Sequence, residues 1–393
     1  MSVSQVGPED FSLSEGGPFY KALESAKLVR HPWKIALISL CITWIPLVII
    51  TAANGTLYSG TSMPFLKDAA IQGRLLLAIP LLIMMRLSID TKVNSVIHYI
   101  SDALMGPEER QLIVSTAIYR AKRLTYSALT EIIILVIVII YTISLVQSNT
   151  FGELQGGSES WMAASLASNQ KLSLAGHWAI FISIPIFQFL FFRWVWRYFV
   201  WMLLLFRLSK SRLQLRPTHA DKAGGLGIIM FGQRSFNMLF VAAGLVVSGE
   251  LIVRLMKDQN SFITIRNECI GFIIICVILI LLPMLFFMGK LLKTKHEALL
   301  DLSKLSATMS AKFEGEWLNE QPIEKRISDS QVDPSMLFDY AGVFDSVQQM
   351  RTFPVTIRDV IGLTIPLIIP FVPLLVIHFS VVELLQQILK LLV

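Results

Sequence analysis

Charge is scarce in this chain. Asp, Glu, Lys and Arg make up 16% of its 393 residues and apolar residues 54%, against about 25% and 45–50% in soluble domains. That balance excludes an ordinary soluble fold and implies a multi-pass membrane protein. Cysteine is scarcer still: only Cys41, Cys269 and Cys276 are present. The last two lie about 10 Å apart along one expected helix, so no disulfide framework, metal-ligand spacing or redox CxxC is implied. Enzyme signatures are missing too. The sequence contains no HExxH, nucleophile elbow, Walker loop or dinucleotide fingerprint, and neither a metal nor a cofactor is expected.

What is present is a series of apolar runs. A hydrocarbon core about 30 Å thick takes roughly 20 helical residues, and seven segments approach that length: Ile35–Ala53, Ala69–Met85, Ala128–Val146, His177–Arg197, Phe236–Leu255, Ile270–Met288 and Val360–Ile377. The second contains Arg74 and Pro80, the seventh Pro366, Pro370 and Pro373. Proline at membrane depth requires neighbouring protein to satisfy the freed carbonyls. The first 34 residues are polar and mixed in charge, unlike a cleaved leader.

The net charge of +6 is a matter of topology before it is a sign of nucleic acid. With the amino terminus inside, the segments 1–34, 87–126, 207–234 and 290–358 carry 24 Lys and Arg, and the opposite side carries 6. That asymmetry fits the positive-inside rule. The expected fold is all-α: a polytopic membrane helix bundle of about seven spans with long helices projecting into the cytoplasm. Its parts are a cytoplasmic segment 1–34, a transmembrane region 35–291 with six spans and a helical extension at 87–126, a cytoplasmic extension and loop at 292–355, and a last span with an amphipathic carboxyl-terminal helix at 356–393. From Pro107 to Gln147 there is no glycine and no further proline, which predicts an uninterrupted helix of about 60 Å.

Residues 176–227 carry the most chemistry. Arg193 and Arg197 are four apart, on one helix face, among Trp194, Trp196, Tyr198 and Trp201. They are either fixed charges for an anion or an anionic headgroup, stacked on indole rings, or an interfacial aromatic belt with snorkelling arginines. The loop that follows holds Arg212, Arg216, His219, Asp221, Lys222, Gly224, Gly225 and Gly227. A histidine beside a carboxylate can sense pH or shuttle a proton, and a glycine-rich turn of amides can cradle an anion. The same residues also suit a tight turn tied down by its own hydrogen bonds. Glu250 and Arg254, at i and i+4, are read as an intrahelical pair, or Glu250 as an ion-pathway residue. Glu131 lies near the inner end of the third span.

The string Pro217-Thr218-His219-Ala220-Asp221-Lys222-Ala223-Gly224-Gly225-Leu226-Gly227, with Pro185-Ile186-Phe187-Gln188-Phe189 and Arg193-Trp194-Val195-Trp196-Arg197 upstream, resembles uncharacterised bacterial multi-pass inner-membrane proteins of similar length. The resemblance implies an inner-membrane location and no activity.

These residues lead to an integral membrane channel or channel-like transport protein, oligomeric and anion-favouring at a basic cytoplasmic vestibule. Its ligand or ion-pathway residues are Arg193, Arg197, Arg212, Arg216, His219, Asp221, Lys222, Gly224, Gly225 and Glu250. The alternatives are a membrane-embedded enzyme acting on phosphorylated lipid through His219 and Asp221, and a receptor or scaffold. The expected partners are the bilayer, anionic lipid headgroups and further copies of the chain.

Overall fold

The computed structural model describes residues 11–147, 160–164, 171–257, 262–318 and 334–378. The expected carboxyl-terminal amphipathic helix and much of the connection 148–175 lie outside them. The described chain is a bundle of ten helices: α1 Pro18–Ser25, α2 Pro32–Ala53, α3 Ala69–Ala103, α4 107–125, α5 Ala128–Gln147, α6 Leu174–Lys210, α7 Leu226–Met256, α8 Phe262–Gly315, α9 Pro334–Gln348 and α10 Ile357–Ile377. Seven of these runs are long and apolar enough to cross a membrane, with α4 and α5 counted together. The only strands among the described residues, β1 Ala163–Ala164 and β2 Lys171–Leu172, form a two-residue antiparallel pairing.

The run 107–147 is not continuous. It breaks at Tyr126–Ser127, where Ser127, a residue type favoured at helix starts, precedes the new helix and tertiary contact adds to the local signal. A Cβ on Gly16 would sit 2.7 Å from the Tyr126 ring, so the amino-terminal segment occupies the notch of the break. The expected projecting layer is present: α8 runs on from its apolar half to Gly315, and α9 packs back along it.

The spans divide into a packed centre and a loosely held periphery. α7 is the most enclosed, with 61% of its apolar window buried, and the α4–α5 run is the least, at 22%. α7 lies directly on α3: a Cβ on Gly249 would meet the Ala69 carbonyl oxygen at 2.6 Å, and one on Gly73 the Leu245 oxygen at 2.8 Å. Two bare backbones in contact are the usual route to close packing where apolar burial gives helices no reason to associate.

Prolines inside spans free carbonyls, and neighbouring helices supply the donors. Pro46 leaves the Ile42 carbonyl without its intrahelical N–H, and Trp178 of α6 donates to that oxygen at 3.0 Å. Pro283 does the same to Leu279, whose oxygen takes the Tyr198 hydroxyl at 2.7 Å. Gln233 donates to Ile280 O at 2.6 Å and to the Tyr198 hydroxyl at 2.9 Å, and accepts from Trp201 Nε1 at 2.9 Å. One glutamine thus joins α6, α7 and the kink of α8 in a satisfied network, where an open carbonyl in hydrocarbon would cost several kcal/mol.

Replacing Gly249 by Val should separate α3 from α7 at a cost of about 1–3 kcal/mol or more. Thermal unfolding in detergent should show a lower midpoint for Gly249→Val and an equal or higher one for Gly271→Ala, where a Cβ in mid-helix meets open space.

Candidate functional site

Arg193 and Arg197 lie on the inward face of α6, 7% and 2% exposed. Neither guanidinium reaches the surface. Arg193 Nε donates to Glu131 Oε1 of α5 at 2.7 Å and its Nη2 to Gly16 O at 3.2 Å. Arg197 donates to Glu15 O at 3.1 Å and Gly16 O at 3.2 Å. The second oxygen of Glu131 accepts the Phe19 N–H at 2.8 Å. A positive φ at Gly17 (85°) lets the chain pass, and a Cβ there would collide with the Glu131 carboxylate.

The amino-terminal segment that supplies these carbonyls is itself embedded. Phe11, Leu13 and Ser14 are all buried, and Asp90 of α3 accepts from Leu13 N at 2.8 Å and Ser14 N at 3.0 Å and from the Ser14 hydroxyl. Arg86, one turn before Asp90, donates to Ser14 Oγ at 3.2 Å and Val29 O at 3.3 Å. Three arginines and two carboxylates thus clasp residues 13–17. Arg193 stacks over Phe19, centroid 5.1 Å away, and Arg197 over Trp194 at 5.9 Å, so one of the expected indole contacts is present. A buried charge is tolerable only when paired or fully hydrogen-bonded: Arg193 is paired with Glu131, and Arg197 is held by two backbone carbonyls of the same chain.

In the loop 211–227, the carboxylate of Asp221 is the organising group. It accepts from the backbone N–H of Ala223 (2.8 Å), Gly225 (3.1 Å) and Gly227 (2.9 Å), and His219 Nδ1 lies 2.8 Å from it. The amides of the glycine-rich turn are therefore engaged by an internal anion. Burial pushes the Asp221 carboxyl upward, but the N–H groups of Ala223, Gly227 and Gly225 with the His219 ring outweigh it and hold it below the usual carboxylate range. The other ring nitrogen of His219 is 3.0 Å from the Tyr99 hydroxyl. Lys222, at φ 52°, contacts Gln349, and Arg351 donates to Lys222 O and Asp221 O at 2.7 and 2.6 Å. Gly224 and Gly225 take left-handed angles, φ 65° and 94°. Arg212 and Arg216 point outward and are exposed.

Glu250 pairs with Arg74 of α3, whereas Arg254 lies 3.5 Å from Glu268 of α8. The intrahelical pair suggested by their spacing is replaced by two interhelical ones. Arg74 sits in a π-helical turn, Gly73–Ala78, a distortion frequent at functional sites. The Arg74–Glu250 pair borders a cleft of about 430 Å³ between α5, α6, α3 and α7, whose wall also carries Ile137, Tyr141, Phe187, Phe191 and Gln188. The Gln188 Oε1 atom is buried without a hydrogen-bond partner. A second groove of about 560 Å³ lies between α2, α5 and α6, apolar along Ile132, Leu135, Phe181 and Phe189, and ends at Glu131. Among the described residues no cluster has the make-up of a metal site.

The pathway residues proposed from sequence thus fall in three places: the buried clasp, the internally bonded loop and the α3–α7 cleft. The residues that sequence reasoning missed are the partners Arg74, Arg86, Asp90, Ser14, Tyr99 and Arg351, and Gln188 in the cleft wall. For Arg86 and Asp90 a signal existed, a charged i, i+4 pair just beyond an apolar run.

Glu131→Gln strands a buried guanidinium and should cost about 3–5 kcal/mol, with the Glu131→Gln/Arg193→Gln pair costing less than the two single losses added; thermal unfolding of the four proteins measures this. For Asp221 the folded pKa is depressed, so its stabilisation is present above the unfolded value near 3.9 and is lost as pH falls through the lower folded value. Asp221→Ala should therefore lower stability by about 1–3 kcal/mol between pH 5 and 8, and the gap to the wild type should narrow in unfolding scans only below about pH 4. Compared with known proteins, the chain matches no family model, no curated protein and no solved structure.

Proposed function

We propose that the protein is a membrane transport protein that moves an amphiphilic solute along the boundary between α5 and α6, in a bacterial inner membrane with its basic, amino-terminal face toward the cytoplasm. The observation that carries this reading is the pair of clefts flanking one contact. Along α5 the two follow one another, the first lined by residues 131–135 and the second by residues 137–145, and on α6 they take alternate positions between 181 and 192, so they lie on two sides of one helix. On α5 the buried Ile134 stands between the two stretches, and the buried Val138 lines the second cleft at its near end. Both clefts have apolar walls, and the second adds accessible charge in Arg74 and Glu250, the pattern an amphiphile needs.

Two further facts support the route. The centre of the bundle is filled by Leu75, Ile79, Leu82, Trp201 and Phe236, each fully buried, so passage through the middle of one subunit would require repacking a dense core. The helix at the boundary, by contrast, belongs to the least enclosed run, joined to the body chiefly through α6. The expectation of an anion-favouring channel narrows accordingly: Arg193 and Arg197 are engaged by Glu131 and by carbonyls, and charge accessible from a cleft belongs to Arg74 and Glu250. An enzyme built on His219 and Asp221 gains less support, because the carboxylate already holds three amides.

Purified protein in liposomes should accelerate transbilayer movement of a labelled amphiphile. Val138→Trp, at the end of the second cleft nearest the first, should slow it about tenfold or more by overpacking. Ile140→Trp, on a face 61% exposed, should leave the rate unchanged. Movement no faster than in protein-free liposomes, or equal rates in the two variants, would sink the proposal.

A further inference from the structure

We infer that the cleft bordered by Arg74, Glu250 and Gln188 binds a zwitterion with a primary ammonium and an apolar body. The inference deepens the transport reading and relies on it for the route alone.

Three polar groups stand at one height in this cleft. α3 and α6 run in the same direction, and Trp194 Nε1 donates to Leu82 O at 2.7 Å, which fixes their register. Counting back six residues reaches Gln188 and eight reaches Arg74, so the two differ by about 3 Å of helical rise. α7 runs the other way, with Gly249 against Ala69 and Leu245 against Gly73, which brings Glu250 to the same end of α3 and into contact with Arg74. Around them the wall is apolar and aromatic: Ile137, Tyr141, Phe187, Phe191 and Phe192.

This pair differs from the other membrane-depth pair in accessibility. Arg74 and Glu250 have 20% and 35% of their side-chain surface open, Arg193 and Glu131 only 8% each. Gln188 adds a primary amide whose Oε1 is buried without a protein partner, an arrangement that disfavours the unliganded cleft. A ligand entering between Arg74 and Glu250 must compensate both. A simple cation satisfies Glu250 and leaves a guanidinium unpaired at low dielectric, and a simple anion does the reverse. A zwitterion satisfies both at once, and a rotation of the Gln188 side chain toward the cleft would give its unpartnered oxygen an ammonium N–H. Its apolar body then lies on the aromatic wall, where cation–π attraction adds to burial. The volume of about 430 Å³ falls within the range of small-molecule sites.

This chemistry can come from a lipid or from solution. The test uses full-length protein in nanodiscs, titrated calorimetrically with lysophosphatidylethanolamine, L-phenylalanine, dodecylamine and lysophosphatidylglycerol. At least one of the two zwitterions should bind saturably, and which one does names the source. The cationic and anionic probes should bind at least about tenfold more weakly, and Gln188→Leu and the Arg74→Gln/Glu250→Gln pair should each lose at least about tenfold for the zwitterion. The unfolding temperature of Gln188→Leu should equal or exceed that of the wild type. Failure of both zwitterions to bind, equal binding of all probes, undiminished binding to Gln188→Leu, or a lowered unfolding temperature in that variant would each overturn the inference. Saturable binding without flux would remove the transport reading and leave this site standing; flux without such binding would do the opposite.

Discussion

Two guanidinium groups inside the helix bundle are the constraint around which the basic half of this protein is arranged. An arginine at membrane depth costs several kcal/mol unless it is hydrated, paired or bonded to carbonyls, and Arg193 and Arg197 find their partners within the chain. Glu131 answers the first, which ties α5 to α6. The carbonyls of Glu15 and Gly16 answer both, which draws a polar amino-terminal segment into the bundle. That segment carries its own donors inward, and Asp90 with Arg86 closes the account for Leu13 and Ser14. The break at Tyr126–Ser127 belongs to the same set of contacts, because the returning chain occupies that notch.

The opposite half is organised by backbone contact. Gly73 and Gly249 let α3 and α7 touch, and the resulting crossing brings Arg74 to Glu250. Between the halves, prolines create orphan carbonyls that Trp178, Tyr198 and Gln233 fill, so kinks and interhelical hydrogen bonds are two aspects of one solution. α5 is the exception. It is held through Glu131 and a contact with α6, with clefts on both sides, and a helix with few fixed partners is the one most easily displaced.

The seven spans and the long projecting helices were legible because both follow from local composition: apolar length for the spans, and the change from apolar to amphipathic character after Lys290 for α8. The demand that proline-freed carbonyls find partners was also legible, though which side chains meet it depends on register. The helix break at Tyr126–Ser127 was not, since its one local signal, Ser127 ahead of Ala128, is weak in a run without glycine or a further proline. The chemistry of residues 176–227 was half legible. Its residue types did mark a polar cluster, but spacing alone could not tell whether the glycine-rich amides face an outside anion or Asp221. Nor could it tell whether Arg197 meets water or Gly16, a partner 181 positions away. Likewise Glu250 has an arginine at i+4 yet bonds one 176 residues earlier.

Arg193 and Arg197 hold residues 13–17 inside the bundle. A single cysteine placed at Leu13, in a background without Cys41, Cys269 and Cys276, reports this directly through its rate of labelling by a membrane-impermeant thiol reagent. Leu13 is fully buried, so the account predicts slow labelling in the parent and labelling at least about tenfold faster once Arg197→Gln removes two of the bonds that anchor the segment. Equally fast labelling in both proteins would contradict it.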